Sequence, residues 1–236
     1  MIGIIVQLLL SWLIIWFFDK GNLSFLGFTP TGKRISDFLL FFLITAFCCA
    51  SSFFMRMYFV KEQWIFNQSL SLNQTFEAIW WNIKSVLFEE LIFRGVLFYI
   101  LIRKLGPVKA ILISAIAFGI YHWFSQSVIG NVTQMLITFL TTGMMGLVLA
   151  YGYSKTFSLF IPCSIHLGWN ITQGFVFSQG SIGKGIFIQE ANQPDVTVSY
   201  FVYFVIIFLP LLSAIIVNFL HLKFRKQAPI TTTKSL

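Results

Sequence analysis

Three ionisable residues lie within six positions of an otherwise apolar stretch of this chain, residues 88–95. They are Glu89, Glu90 and Arg94. An ionised carboxylate in hydrocarbon is costly unless another group pairs with it or hydrates it. Glu90 and Arg94 are four residues apart, so on a helix they share one face and can form an ion pair. Glu89 points about 100° away and has no partner in its own segment. We therefore interpret Glu90 and Arg94 as structural and Glu89 as a candidate general base or general acid.

Two of the three histidines also lie inside apolar segments. His122 ends the segment that follows Glu89, and the turn between the two segments centres near residues 105–106. Glu89 precedes this turn by about as many residues as His122 follows it. An antiparallel helical hairpin would therefore bring the two side chains to equal depth. His221 lies beside Lys223 at the end of the last apolar segment, where an interfacial position is expected.

A third constellation consists of His166 and Asn170, which are four residues apart on one helix face. Gly168 lies between them and would allow another backbone to approach closely. Imidazole and carboxamide N–H groups are donors of the kind that stabilise a developing oxyanion. Counted along its segment, Asn170 is expected near the depth of Glu89, with His166 about one turn deeper. The structural alternative is an interhelical hydrogen bond, which is plausible for Asn170 alone and less so for the pair.

Composition identifies the kind of protein that must position these residues. Of the 236 residues, 57% are hydrophobic and 10% are charged, with a mean hydropathy of +0.83. A soluble domain carries about 25% charged residues, so the chain is predicted to be an integral membrane protein. The net charge of +8 then reflects basic loops rather than nucleic-acid binding. The three cysteines form no spaced pair and predict neither a disulfide framework nor a metal site.

The apolar segments predict an all-α fold, a polytopic transmembrane helical bundle of about seven spans. The predicted spans are 2–18, 37–60, 84–102, 108–124, 132–150, 157–178 and 200–222. Before the third span, helical spacing of apolar residues predicts an amphipathic interfacial helix with Ser71 or Asn73 as its cap. Residues 1–222 are expected to form a single membrane-embedded domain with a catalytic core at about 80–178. Residues 223–236 are expected to be a basic disordered tail.

Lysine and arginine are distributed unequally between the two sets of loops. One set contains Lys20, Lys33, Arg34, Arg103, Lys104, Lys109, Lys155, Lys223, Arg225, Lys226 and Lys234, and the other contains Lys61, Lys84 and Lys184. Cytoplasmic loops carry the excess of such residues. We therefore predict a multi-pass protein of the cell membrane with a cytoplasmic C-terminus. This orientation brings Glu89 and His122 nearer to the external face.

Taken together, Glu89-Glu90-x-x-x-Arg94, Phe118-x-x-x-His122 and His166-x-x-x-Asn170 resemble the three motifs of the CPBP family. These are the CAAX protease and bacteriocin-processing enzymes, also called Abi proteins, and the resemblance covers roughly residues 80–175. It implies a glutamate-dependent intramembrane endopeptidase that needs no metal or other cofactor. In such an enzyme Glu89 and His122 would activate a water molecule, His166 and Asn170 would stabilise the oxyanion, and Glu90 and Arg94 would support the site. CAAX-processing relatives work from the cytosolic side, which differs from the face predicted above.

The resemblance favours hydrolysis of a membrane-associated peptide or protein, in bacteriocin self-immunity or peptide-signal maturation, with the bilayer and possible partner membrane proteins around it. Two other hypotheses remain open. Glu89, His122 and His166 offer two imidazoles and a carboxylate, a ligand set known for catalytic zinc. Alternatively, the chain is a non-enzymatic immunity or scaffold protein whose polar cluster maintains its shape. A transporter is less favoured, because the fourth and fifth spans offer few polar side chains for a path.

Overall fold

The fold is built from α-helices, as predicted. A computed structural model describes residues 2–178, 185–226 and 228. The helices are α1 (Ile2–Asp19), α2 (Gly32–Met55), α3 (Leu72–Arg94), α4 (Val96–Leu105), α5 (Pro107–Ser125), α6 (Val132–Thr156), α7 (Phe160–Ile171) and α8 (Tyr200–Lys223). A 3₁₀ turn at Leu23–Leu26 follows α1, and π-helical turns at Arg56–Val60 and Thr172–Val176 extend α2 and α7.

Five of these helices are long and apolar enough to cross a membrane. They are α1, α2 with its π-helical extension, α5, α6 and α8. The described part of the chain therefore contains five candidate membrane-spanning helices. The third and sixth predicted spans correspond to less regular elements. The third is divided between α3 and α4, and the sixth is the twelve-residue α7 with its π-helical turn.

The third predicted span is interrupted at Gly95, where sequence periodicity indicates one continuous helix. Gly95 has φ −81° and ψ −145°, which is not helical, and it separates α3 from α4. A Cβ atom at this position would collide with the carbonyl oxygen of Leu91. The interruption therefore depends on glycine. The start of α3 agrees with the prediction, since Ser71 forms a capping box with Gln74.

Small residues determine how closely the helices pack. At Gly168 of α7, an added Cβ would lie 2.5 Å from the carbonyl oxygen of Phe42 in α2. At Gly146 of α6, it would lie 3.2 Å from Cα of Ala115 in α5. The close approach at Gly168 was expected from the sequence. The two close approaches join α2 to α7 and α5 to α6, the two most extensive helix pairs of the bundle.

A small sheet lies at the end of the molecule where α2 ends, which we call the sheet end. It contains β1 (Trp64–Phe66), β2 (Phe177–Ser178) and β3 (Phe187–Gln189) in the order β1-β3-β2. β1 pairs with β3 in antiparallel fashion, and β2 pairs with β3 in parallel fashion. The sequence predicted no strands, and it placed β2 at the end of the sixth predicted span. Strands of two or three residues are too short to produce an alternating pattern.

The opposite end of the molecule, which we call the basic end, is tied together by ion pairs between helix ends. Arg103 at the end of α4 pairs with Asp19 at the end of α1, and Arg225 after α8 pairs with Asp37 near the start of α2. The tail predicted to be disordered thus begins with ordered contacts, because residues 224–226 and 228 are described and Arg225 is paired. The rest of that tail, with Lys234, lies outside the described residues, as does Lys184. All three cysteines are free.

Candidate active site

Three helices bring the predicted polar residues to one place in the interior. Glu89, Glu90 and Arg94 lie in the last turns of α3. His122 lies in the last turn of α5, and His166 lies in the middle of α7. Glu90 and Arg94 are completely buried, while His122 and His166 retain 9% and 5% exposure. These residues are distant in sequence, so their meeting is a property of the tertiary fold.

The carboxylate of Glu89 lies between the two imidazole rings. Its Oε2 atom is 3.8 Å from Nε2 of His122 and also 3.8 Å from Nε2 of His166. These distances are too long for direct hydrogen bonds. Oε2 is buried and has no hydrogen-bond partner among the described residues. The predicted proximity of Glu89 and His122 agrees with this geometry, and His166 approaches Glu89 equally closely.

Hydrogen bonds at Nδ1 orient both imidazoles in the same way. Nδ1 of His122 donates to the carbonyl oxygen of Phe118 at 2.8 Å, and Nδ1 of His166 donates to Oε1 of Glu90 at 2.8 Å. These partners assign the proton of each neutral ring to Nδ1. Each ring therefore turns the lone pair of Nε2 towards Glu89.

The predicted pair of Glu90 and Arg94 is present and has further partners. Nη1 of Arg94 donates to Oε1 of Glu90 at 3.2 Å, and its Nη2 donates to the carbonyl oxygen of Gly146 in α6 at 3.3 Å. The guanidinium also lies over the ring of Phe118, 4.3 Å from its centroid. Arg94 thus connects α3 to α5 and α6.

Sequence reasoning missed the hydrogen bond between Glu90 and His166. It assigned Glu90 to Arg94 alone, from the i, i+4 spacing within one helix. No spacing rule relates α3 to α7, which are separated in sequence by α4, α5 and α6. The signal that was available is the acceptor capacity of Glu90, because an ionised carboxylate has about four acceptor sites and can take a second donor after it has paired with Arg94.

A cavity of about 390 Å³ adjoins the histidines. His122, His166 and Asn170 line it, together with residues from α6 and α8. Asn170 therefore lies where the sequence predicts, on the same wall as His166. Glu89 does not line this cavity. The imidazole rings of His122 and His166 do line it, and each has its Nε2 atom 3.8 Å from the carboxylate of Glu89.

A second cavity of about 440 Å³ lies next to the first. Trp169, Gln173 and Ile207 line both cavities. The second one also reaches Glu62, which precedes β1. The two cavities together lead from the histidines towards the sheet end. Among the described residues, no group of three or more His, Cys, Asp and Glu side chains is arranged to hold a metal ion.

Comparison with known proteins adds one finding. Residues 71–172 match the family model described as Rce1-like, type II CAAX prenyl endopeptidase. No curated protein and no solved structure matches the chain. The matched stretch begins at the cap of α3 and ends one residue beyond α7, so it includes Glu89, His122, His166 and Asn170. It does not include α1, α2 and α8.

Proposed function

Because residues 71–172 form an Rce1-like domain of the intramembrane CAAX endopeptidase family, we propose that this chain cleaves membrane-associated peptides or proteins. The reaction is hydrolysis by a water molecule that Glu89 and His122 activate. The observation that carries the proposal is the position of Glu89. Its carboxylate faces two imidazole nitrogens across 3.8 Å, and both imidazoles line a cavity.

The spacing of Glu89 and His122 suits a shared water molecule. A water about 2.8 Å from each of two atoms that are 3.8 Å apart makes normal hydrogen bonds to both. Nε2 of His122 has its lone pair free, because Nδ1 carries the proton that Phe118 accepts. As the water oxygen bonds to the substrate carbonyl carbon, its proton passes to this pair of groups. The same proton then goes to the leaving amine when the C–N bond breaks, and no covalent enzyme intermediate forms.

Asn170 and His166 have different capacities as oxyanion donors. The carboxamide of Asn170 on the cavity wall can donate without any change of protonation. His166 already donates from Nδ1 to Glu90, so it donates from Nε2 only when it carries a second proton. We therefore assign Asn170 as the constant donor and His166 as a donor in its charged form. Glu90 and Arg94 support the site by fixing the ring of His166 and joining α3 to α6.

The biological setting of the proposal rests on the family alone. It includes bacteriocin self-immunity or maturation of a peptide signal, with partner membrane proteins as possible participants. We propose that a membrane-associated peptide substrate enters through the two adjacent cavities, which extend from the histidines towards the sheet end.

The experiment compares the membrane peptidomes of cells that express the wild type, Glu89→Gln and Glu77→Gln. Glu77 is a matched control because it lies on the same helix but is exposed, and it accepts a hydrogen bond of 2.9 Å from Asn73 on the helix surface. We expect at least one membrane peptide to remain uncleaved with Glu89→Gln and to be processed by the other two proteins. Identical peptidomes for all three, with Glu89→Gln folded and inserted, would refute the proposal.

The zinc hypothesis is tested on the same substrate. Glu89, His122 and His166 would then be ligands, and a strong chelator would abolish cleavage. We expect cleavage to persist after chelation and metal analysis of the purified protein to find less than stoichiometric zinc. Loss of activity on chelation, with recovery on adding zinc, would establish the metal-dependent alternative.

A further inference from the structure

We propose that a cavity at the basic end binds the phosphate group of an anionic phospholipid. The cavity has a volume of about 700 Å³. It lies between the start of α2, the junction of α6 and α7, and the residues that follow α8. It shares no residue with the candidate active site, so this inference does not depend on the proposed function.

The net positive charge of the cavity wall favours an anionic ligand. Five cationic side chains line it, together with one carboxylate, Asp37. The cations are Lys33, Arg34, Lys155, Arg225 and Lys226. Arg225 neutralises Asp37, and Arg34 is held by a 2.7 Å hydrogen bond from Nη1 to the carbonyl oxygen of Thr29. The three lysines have no carboxylate partner in the described part of the chain.

Apolar residues in the same wall favour a lipid as the source of the phosphate. Phe160, Ile161 and Phe224 line the cavity alongside the lysines, and Phe224 is 82% exposed. A free inorganic ion would gain nothing from such residues, whereas a phospholipid presents glycerol and acyl carbons next to its phosphate. Basic pockets between the ends of transmembrane helices are suited to anionic headgroups, whose charge is concentrated at the membrane surface.

The three lysines come from three different elements, so the phosphate site forms only when these elements are packed together. Lys33 belongs to α2, Lys155 to the last turn of α6, and Lys226 to the segment after α8. The backbone N–H of Ala228 donates to the carbonyl oxygen of Lys155 at 2.9 Å, which holds that last segment against α6. A phosphate bound by all three lysines would therefore also join α2, α6 and the segment that follows α8.

The test measures lipid binding to the purified full-length protein by native mass spectrometry in detergent. Phosphatidylglycerol and phosphatidylcholine are titrated separately. We expect phosphatidylglycerol to bind at least about tenfold more tightly. The triple variant Lys33→Gln/Lys155→Gln/Lys226→Gln should weaken its binding on the order of a hundredfold, since each surface cation contributes about fivefold.

Two variants serve as controls. Lys20→Gln/Lys104→Gln/Lys109→Gln removes the same charge from the same predicted side but outside the cavity, and this variant should bind phosphatidylglycerol as tightly as the wild type. Lys33→Arg/Lys155→Arg/Lys226→Arg keeps the charge and should also bind. If the glutamine triple variant does not fold, Lys33→Gln alone, at an exposed position, should give a loss of about fivefold.

Competition with inorganic phosphate shows whether the site takes the phosphate group of a lipid or free phosphate. If inorganic phosphate fails to displace phosphatidylglycerol, the ligand is the lipid. If it displaces the lipid from the wild type and does not bind the glutamine variant, the site takes free phosphate with the same lysines. Equal binding of the two lipids, or equal loss in the glutamine triple variant and its charge-matched control, overturns the proposal.

Discussion

Glu89 and Glu90 are neighbours in sequence but have different environments. The helical rotation between them directs Glu90 towards Arg94 and His166, where its Oε1 accepts two hydrogen bonds. Glu89 is directed between two imidazole nitrogens, each 3.8 Å from its Oε2 atom. One carboxylate is therefore occupied in maintaining the structure, while the other is available to a substrate water. This difference was predicted from the i, i+4 spacing alone.

The buried pair makes a prediction about stability. Arg94→Met removes the cation and leaves the carboxylate of Glu90 buried, which should destabilise the protein by about 3–5 kcal/mol. The double variant Glu90→Gln/Arg94→Met leaves no buried charge at these positions, and the glutamine oxygen can still accept from His166. We therefore expect the double variant to be more stable than the single one, as measured by thermal unfolding in detergent.

Arg103 provides the control for this comparison. It pairs with Asp19 at the basic end, where both side chains are partly exposed. Arg103→Met should cost no more than about 1 kcal/mol, because exposed ion pairs contribute little. Equal losses for Arg94→Met and Arg103→Met, or a double variant weaker than Arg94→Met, would contradict the buried-pair interpretation.

The histidines allow a test of catalysis with an internal match. His122 and His221 both donate from Nδ1 to the carbonyl four residues earlier, at 2.8 and 2.9 Å. Of these two histidines, only His122 faces Glu89. His122→Ala should lower the rate of substrate cleavage by about 10²–10⁴-fold, the usual contribution of a general base. His221→Ala should leave the rate unchanged. Similar rates for the two variants would exclude His122 from the reaction.

At the scale of elements, the sequence predicted helices well and their interruptions poorly. The hairpin formed by the third and fourth predicted spans placed Glu89 and His122 correctly, because a count from a shared turn measures depth in both arms. This count could not be applied to His166, since α7 belongs to no hairpin with α3, and its 3.8 Å approach to Glu89 had to come from the structure. The break at Gly95 was missed because the apolar pattern continues through it.

Gly168 makes a prediction about the packing of α7 on α2. An added Cβ would lie 2.5 Å from the carbonyl oxygen of Phe42, so Gly168→Ala must push the helices apart. We expect a loss of about 1–3 kcal/mol in the free energy of unfolding. The activity should fall as well, because α7 carries His166 and Asn170.

Gly143 in α6 is the matched control for Gly168. An added Cβ there would meet only the carbonyl oxygen of Ala115, at an ordinary 3.7 Å. Gly143→Ala should therefore be neutral or stabilising by up to about 1 kcal/mol, since alanine favours the helix. If both alanine variants unfold at the wild-type temperature, the close contact of α2 and α7 does not contribute to the stability of the fold.

At the scale of the whole molecule, the helices run in both directions, so their termini lie at two opposite ends. The ends of α1, α4 and α8 and the start of α2 meet at the basic end, where Asp19 pairs with Arg103 and Asp37 with Arg225. The sheet end contains Lys61 and the start of α3. This alternation fits the loop assignment on which the charge count was based. The number of membrane crossings and their direction stay predictions.

The direction of insertion can be measured with single cysteines. The native Cys48, Cys49 and Cys163 are replaced by alanine, and a cysteine is introduced either at Gln68, near the sheet end, or at Lys109, in the first turn of α5. Both positions are exposed. Because basic loops remain in the cytoplasm, a membrane-impermeant thiol reagent should label Gln68→Cys in intact cells and Lys109→Cys only after permeabilisation. This result would mean that the cavities leading from His122 and His166 open towards the external side, and that the substrate is reached from there. The reverse labelling would place the sheet end in the cytoplasm, and with it the access route of the substrate.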